Sequence, residues 1–228
     1  KECGSTAPES MCAAVLTHNA DAGIALDGDA DRIVVADEKG RLLDGDQLIA
    51  MIARRWSETG RLRRNHVVAT VMSNLGLEKY LETIGLTLHR VQVGDKHVLE
   101  YMRGNDINLG GEQSGHIILS DFSTTGDGLL AALQVLALMI DEGRPLSEVS
   151  HSFEPVPQIL RNVHISCSES LEHPKVRAVI QDAKRQLGAE GRLVIRPSGT
   201  EPLVRVMAEG QDELVIDAVV DSIVGTIE

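Results

Sequence analysis

Aromatic side chains are nearly missing from this chain, with one Trp, two Tyr and two Phe in 228 residues. Any core must therefore be aliphatic, and an apolar fraction of 43% supplies enough material to build one. Basic residues are also scarce: 22 Lys+Arg face 34 Asp+Glu, for a net charge of −12. That excludes a surface that tracks nucleic acid, which needs clustered base. It leaves room for a small phosphorylated ligand held by a few local arginines. Cysteine is sparse and odd in number (Cys3, Cys12, Cys167), without metal-ligand spacing, and reads as reduced thiols of a cytoplasmic protein. The longest apolar run, Leu129 to Ile140, contains Gln134 and falls short of the roughly 20 residues a membrane span needs. It reads as a buried helix, with no membrane partner. No signal peptide is visible, and a first residue of Lys rather than Met suggests a natural chain that begins earlier.

Strand-like and helix-like stretches alternate up to about Glu142, which predicts α/β layers. "AGIALDGDADRIVVADEKGRLL" reads as strand, loop, strand, turn and short strand. "DGDQLIAMIARRW" then opens a helix with Asp46 as its expected N-cap. "HSFEPVPQILRN" carries two prolines and no helical period, the composition of a linker. Beyond it, strand, helix, strand, strand and helix predict a compact α+β domain with an antiparallel sheet.

Three loops carry chemistry. In "DGDADR", Asp27, Asp29 and Asp31 alternate along an extended segment, so their side chains point one way and can converge on a hard cation. Mg²⁺ prefers such oxygen ligands and keeps room for water and a substrate phosphate. An EF-hand is a rival, but Arg32 stands where that loop needs glycine and "IVVAD" is strand-like where a helix should follow. A phosphatase loop of the haloacid-dehalogenase type, with Asp27 as nucleophile, is a second rival, and an acidic solvated turn is the bland one.

"GGEQSGH" (Gly110 to His116) combines glycines that allow close backbone approach with Glu112 and Ser114, groups that suit carbohydrate hydroxyls. A glycine-rich strand connection explains it about as well. "RPSGTEP" (Arg196 to Pro202) pairs an anion nest at Gly199 with the hydroxyls of Ser198 and Thr200 and the forked charge of Arg196, with Arg205 in reserve. A hairpin alone accounts for the Pro and Gly but not for the Arg-Ser-Thr set.

Acidic loop, hydroxyl-reading loop and phosphate nest, in that order, suggest an enzyme that handles a phosphosugar. The three motifs, with "KECGSTAPES", "VATVMSNLG" and "RPSGTEPLVRVM", resemble the C-terminal half of bacterial phosphoglucosamine mutases, a branch of the α-D-phosphohexomutase superfamily. Gln113 fits the glucosamine branch. The resemblance implies α/β mixed-sheet domains of phosphohexomutase type, a partial one over 1–43 with the metal loop and a second over 44–151 with the sugar loop, followed over 152–228 by an α+β domain with an antiparallel sheet resembling the TATA-binding protein. It implies Mg²⁺ on Asp27, Asp29 and Asp31, Arg32 orienting a phosphoserine, and Lys96 touching substrate. Glu112 and Ser114 would read sugar hydroxyls, and Arg196, Ser198, Gly199, Thr200 and Arg205 would hold the resting phosphate.

Two departures stand out against that family pattern. Ala30 replaces the usual Gly, and Lys96-His97 replaces Arg-Tyr, which keeps the charge but loses the bidentate fork. No "SASHNP"-like serine loop occurs. The expected partners are thus a phosphosugar and an N-terminal half carrying that serine, and the chain alone is expected to be inactive. Sheet edges left open by a start inside a domain invite pairing with another copy as a homodimer. A non-catalytic sugar-phosphate-binding protein is the remaining rival.

Overall fold

The computed structural model describes residues 3–164, 171–198 and 202–227. They form two compact units, Lys1–Glu154 and Pro155–Glu228.

The first unit opens with helix α1 (Glu9–His18), followed by the antiparallel meander β1 (Ala22–Leu26), β2 (Ile33–Asp37) and β3 (Leu42–Leu43). Helix α2 (Gly45–Glu58) leads into a second sheet. That sheet contains β4 (His66–Thr70), β5 (Thr87–Val91), β6 (Leu109–Gly111) and β7 (Ile117–Leu119) in the order β5-β4-β6-β7. Helices α3 (Leu75–Thr83) and α4 (Asp95–Asn105) make the crossovers, and α5 (Gly128–Glu142) and the short α6 (Leu146–Val149) close the unit. β4 is parallel to both its neighbours, and β7 returns antiparallel to β6. The mixed sheet follows from the sequence: Val67, Val68, Ala69 and Thr70 of β4 are all fully buried, the continuous apolar run of a strand covered on both faces.

α1 carries no clear apolar stripe, since only Val15 is buried, and its sequence pattern gives no expectation of a helix. The N-cap of α2 is Asp44, whose side chain accepts from the Gln47 backbone N–H at 3.0 Å. Asp46, expected in that role, lies in the first turn and is fully buried. Two Asp-Gly/Asp steps compete for one cap position, and burial of the second decides it. α5 is capped by Asp127 and ends at Gly143 in the left-handed region, but it is not buried all round: Leu129, Leu133 and Ile140 are exposed.

The core of this unit joins Leu48, Ile49, Met51 and Ile52 of α2 to Val67 and Ala69, with Trp56 as its single fully buried aromatic. The expected aliphatic core is what the scarcity of aromatics permits.

In the second unit β8 (Gln158–His164), β9 (Arg192–Pro197) and β10 (Leu203–Glu209) form an antiparallel sheet in the order β8-β10-β9. Helices α7 (Pro174–Leu187) and α8 (Glu213–Ile227) complete it. Val204, Val206 and Ala208 alternate along β10 and pack with Val219, Val220 and Ile223 of α8. The intervening Leu203, Arg205 and Met207 lie on the other face.

Candidate functional site

The acidic loop is the connection of the β1–β2 hairpin, whose last pair is Leu26 opposite Ile33. Asp27 accepts through Oδ1 from the Arg32 N–H at 3.1 Å, and Ala30 N–H donates to Asp27 O at 3.2 Å. The turn forces Ala30 to φ 61°, the left-handed region where Gly is at ease and Ala is strained. That strain is the physical cost of an alanine at this position. One oxygen from each of Asp27, Asp29 and Asp31 falls within 4.8 Å of the others. Arg32 Nε lies 2.8 Å from Asp27 Oδ2 and 3.6 Å from Asp31 Oδ1. Burial works to raise the Asp27 carboxyl, but the Arg32 N–H, Asp31 and the Arg32 charge outweigh it and hold it below the usual carboxylate range. Three convergent, ionisable oxygens with one guanidinium between them fit a hard divalent cation in donor type and spacing.

The EF-hand alternative fails on geometry, because Ile33–Asp37 is a strand where that motif requires a helix.

The Glu112–His116 loop joins β6 to β7 and docks on the acidic loop. Ile33 N–H donates to Gly115 O at 3.1 Å, and Arg32 bridges His116 in antiparallel fashion. Gly115 sits at φ 91°, where a Cβ would lie 2.0 Å from Ile33 O, so the approach requires glycine. His116 is 4% exposed, and its Nδ1 stands 3.0 Å from Asp31 Oδ2. A carboxylate accepts only, so that nitrogen carries the proton. Gly128 N–H at the start of α5 donates to Ala30 O at 2.9 Å, bracing the acidic loop from the other side.

Glu112 turns toward the end of β5, where its Oε1 accepts from Gly94 N–H at 3.0 Å. Ser114 is exposed at the loop tip. The structure thus brings Asp27, Asp29, Asp31, Arg32, Glu112 and Ser114 onto two interlocked loops. Lys96 is apart from them: its side chain is exposed on the first turn of α4 and pairs with Glu100 at 3.8 Å. His116 joins the group without having been singled out from the sequence. Its partner Asp31 is 85 residues away, and only the fold brings them together.

The second unit carries the other candidates. Arg196 on β9 is the direct cross-strand partner of Arg205 on β10, and Asn162 on β8 flanks Arg205 from the other side. Burial, then the Arg205 charge, lowers the Arg196 pKa. Like charges set directly opposite destabilise a sheet. Ser198 N–H is spent on Leu203 O at 2.8 Å, closing the hairpin. Gly199 and Thr200 lie outside the described residues.

Residues 44–156 match the model of the phosphoglucomutase/phosphomannomutase alpha/beta/alpha domain III, and residues 163–226 match that of the C-terminal domain of the same enzymes. The chain belongs to the phosphoglucomutase/phosphomannomutase family. Within that family it is 60% identical over 227 residues to a phosphoglucosamine mutase of Mesorhizobium japonicum, covering 100% of this chain and 50% of the relative. It is 57% identical over 228 residues to the phosphoglucosamine mutase of Parvibaculum lavamentivorans, covering 100% of this chain and 51% of that one. The chain spans about half the length of the curated relatives it matches.

The fold agrees with family membership. N-acetylphosphoglucosamine mutase of Aspergillus fumigatus, solved with GlcNAc-6P and magnesium, superposes with a TM-score of 0.79 at 22% identity. The match covers 100% of this chain and 57% of that one. A family member from Burkholderia thailandensis gives 0.77 at 18% identity, over 98% of this chain and 50% of its own. The relatives that align over the whole chain, Asp27 included, carry the name phosphoglucosamine mutase and not that of a haloacid-dehalogenase-type phosphatase.

Proposed function

We propose that this chain is the cation-, sugar- and phosphate-holding part of a phosphoglucosamine mutase. The whole enzyme interconverts glucosamine 6-phosphate and glucosamine 1-phosphate. A phosphoserine on the N-terminal half gives its phosphoryl group to the free sugar oxygen, forming a 1,6-bisphosphate. The bisphosphate turns over, the serine takes back the other phosphoryl group, and the serine oxygen is phosphorylated again. The product feeds amino-sugar precursors of the cell wall in the cytoplasm. No helix among the described residues is long and apolar enough to cross a membrane.

The observation that carries this reading is the interlock of the acidic loop with the Glu112–His116 loop. It puts three convergent carboxylates beside a further carboxylate and a hydroxyl, the donor set that phosphoryl transfer to a sugar would use. Asp27, Asp29 and Asp31 would hold Mg²⁺, which offsets charge on the phosphoryl group in flight. Arg32 orients the phosphoserine between these carboxylates. Glu112 and Ser114 accept and donate to sugar hydroxyls, and Lys96 contacts substrate from the α4 turn. Arg196 and Arg205 supply the paired charge for the phosphate that stays bound, with Ser198, Gly199 and Thr200 as its further binding residues.

The relatives' name, together with Gln113, favours an amino sugar over glucose or mannose phosphates. Calorimetric titration with glucosamine 6-phosphate and with glucose 6-phosphate, Mg²⁺ present, tests this. The expected result is saturable binding that prefers the amino sugar and is lost in Arg196→Ala. Binding indifferent to Arg196 overturns the phosphate assignment.

A further inference from the structure

The loops that leave the C-terminal ends of β4 and β6 are tied to one turn, the N-terminus of α2. Gly45 N–H donates to Gln113 O at 3.0 Å, and Gln113 Nε2 donates to Asp44 Oδ2 at 3.4 Å. Gly45 has no space for a side chain, since a Cβ would lie 2.1 Å from Glu112 O. One residue on, the fully buried Asp46 accepts through Oδ2 from the Asn74 backbone N–H at 2.7 Å. Arg90 of β5 braces the same loop, donating through Nη1 to Ser73 O at 2.6 Å and to Thr70 O at 3.3 Å. The chain runs from β4 to β5 on one side, then crosses to β6 on the other. The crevice beyond the carboxyl ends of β4 and β6 is therefore the point of strand-order reversal, where open α/β sheets bind ligands.

A buried carboxyl in the first turn of a helix usually serves as its cap, but Asp44 already fills that role. Asp46 spends its oxygen on another loop instead. We propose that Asp46 is a positioning residue of the sugar-phosphate site: it fixes the Val71–Asn74 loop to the turn that also holds the Glu112–Gly115 loop, so the two keep one geometry. This rests on the reading that this end of the sheet holds the phosphosugar.

Charge on Asp46 acts on both loops at once. Burial, then Asp44, pushes the Asp46 carboxyl up to about 7, against the Asn74 N–H, Ser73 and the Arg90 charge. Those are the polar groups that face it: Asp44 on its own helix, Ser73 and Asn74 from the loop after β4, and Arg90 from β5. Losing the proton puts a negative charge beside Asp44, the partner of Gln113, in a place closed to water; opening this turn to hydrate the charge frees both loops, so both holds loosen as pH rises past neutrality.

Hydrogen exchange on the wild-type chain, Asp46→Asn and Asp46→Ala at pH 6 and pH 8, corrected for intrinsic rates, tests the coupling. Asn keeps the acceptor and cannot ionise. In the wild type the segments 71–74 and 112–115 are expected to exchange faster at pH 8 together, by about tenfold, the factor that 1.4 kcal/mol represents. In Asp46→Asn the pH response is expected to vanish, and in Asp46→Ala both segments are fast at either pH. Segments that respond separately, or an Asn variant with the wild-type response, overturn the proposal. Wild type and Asp46→Asn suffice if the Ala variant does not fold. Glucosamine 6-phosphate titrations on the same samples separate the two readings. No binding by the wild type sinks the assigned function, while the exchange result judges the coupling alone.

Discussion

Replacing Asp46 by Asn should make the first unit more stable at pH 8 and leave it nearly unchanged at pH 4. Burial and the neighbouring Asp44 raise the Asp46 carboxyl in the folded state to about 7 from an ordinary value of 3.8. A raised carboxyl binds a proton in the folded chain that the unfolded chain has released. The stability it lends is therefore complete below 3.8 and is lost as pH climbs through 7. About three pH units at 1.36 kcal/mol each put the loss at roughly 4 kcal/mol.

Asn removes the charge and keeps the acceptor for the Asn74 N–H, so up to that amount is recovered above pH 7. The recovery is smaller by whatever its new N–H₂ group needs, with the Ser73 side chain nearby to receive it. For a unit of this size the ceiling corresponds to roughly 10 °C in Tm. Trp56 is the sole tryptophan and is 2% exposed, so its fluorescence reports unfolding of this unit alone. Denaturation from pH 4 to 8.5 should show a gain for Asp46→Asn that grows between pH 4 and 7 and then levels off. A gain independent of pH, or an Asn variant weaker than wild type at pH 8, refutes the reasoning.

Ala30→Gly removes the left-handed strain at φ 61° and should stabilise the acidic loop by about 1 kcal/mol, measurable as a rise in Tm with unchanged sugar-phosphate affinity. His116→Ala removes the imidazole that orients Asp31. It should weaken Mg²⁺ binding by about 10–100-fold, the usual effect of losing such an outer partner, and calorimetry with Mg²⁺ checks it.

Most of the elements were legible because their periods are clean. The buried run in β4, the alternation in β10 and the Gly143 stop after α5 each point to one structure. α1 was not legible, because only Val15 of its ten residues is buried and it carries no stripe. The cap of α2 went to Asp44 because the sequence offers two acids and cannot say which is inside. The apolar run of α5 gave a helix correctly but overstated its burial, since hydrophobicity alone does not tell which faces neighbours cover. The acidic, glycine-rich and basic candidate loops stood out as local motifs. His116 did not, because its meaning is a distance of 3.0 Å to a residue 85 positions earlier. The opposition of Arg196 and Arg205 is likewise a matter of strand register. Lys96 stood out as a motif position, and its side chain is exposed on the first turn of α4, paired with Glu100.

The bridge between Asp31 and His116 has a consequence for how the chain assembles. The acidic loop belongs to a local hairpin that can close early, but its third carboxylate is aimed by a residue at the start of β7. That strand pairs with β6, which in turn pairs with β4. Long-range closures of this kind form late. On the proposed reading, tight cation binding arrives with that closure, and a first unit truncated before His116 would hold Mg²⁺ poorly even with all three aspartates in place.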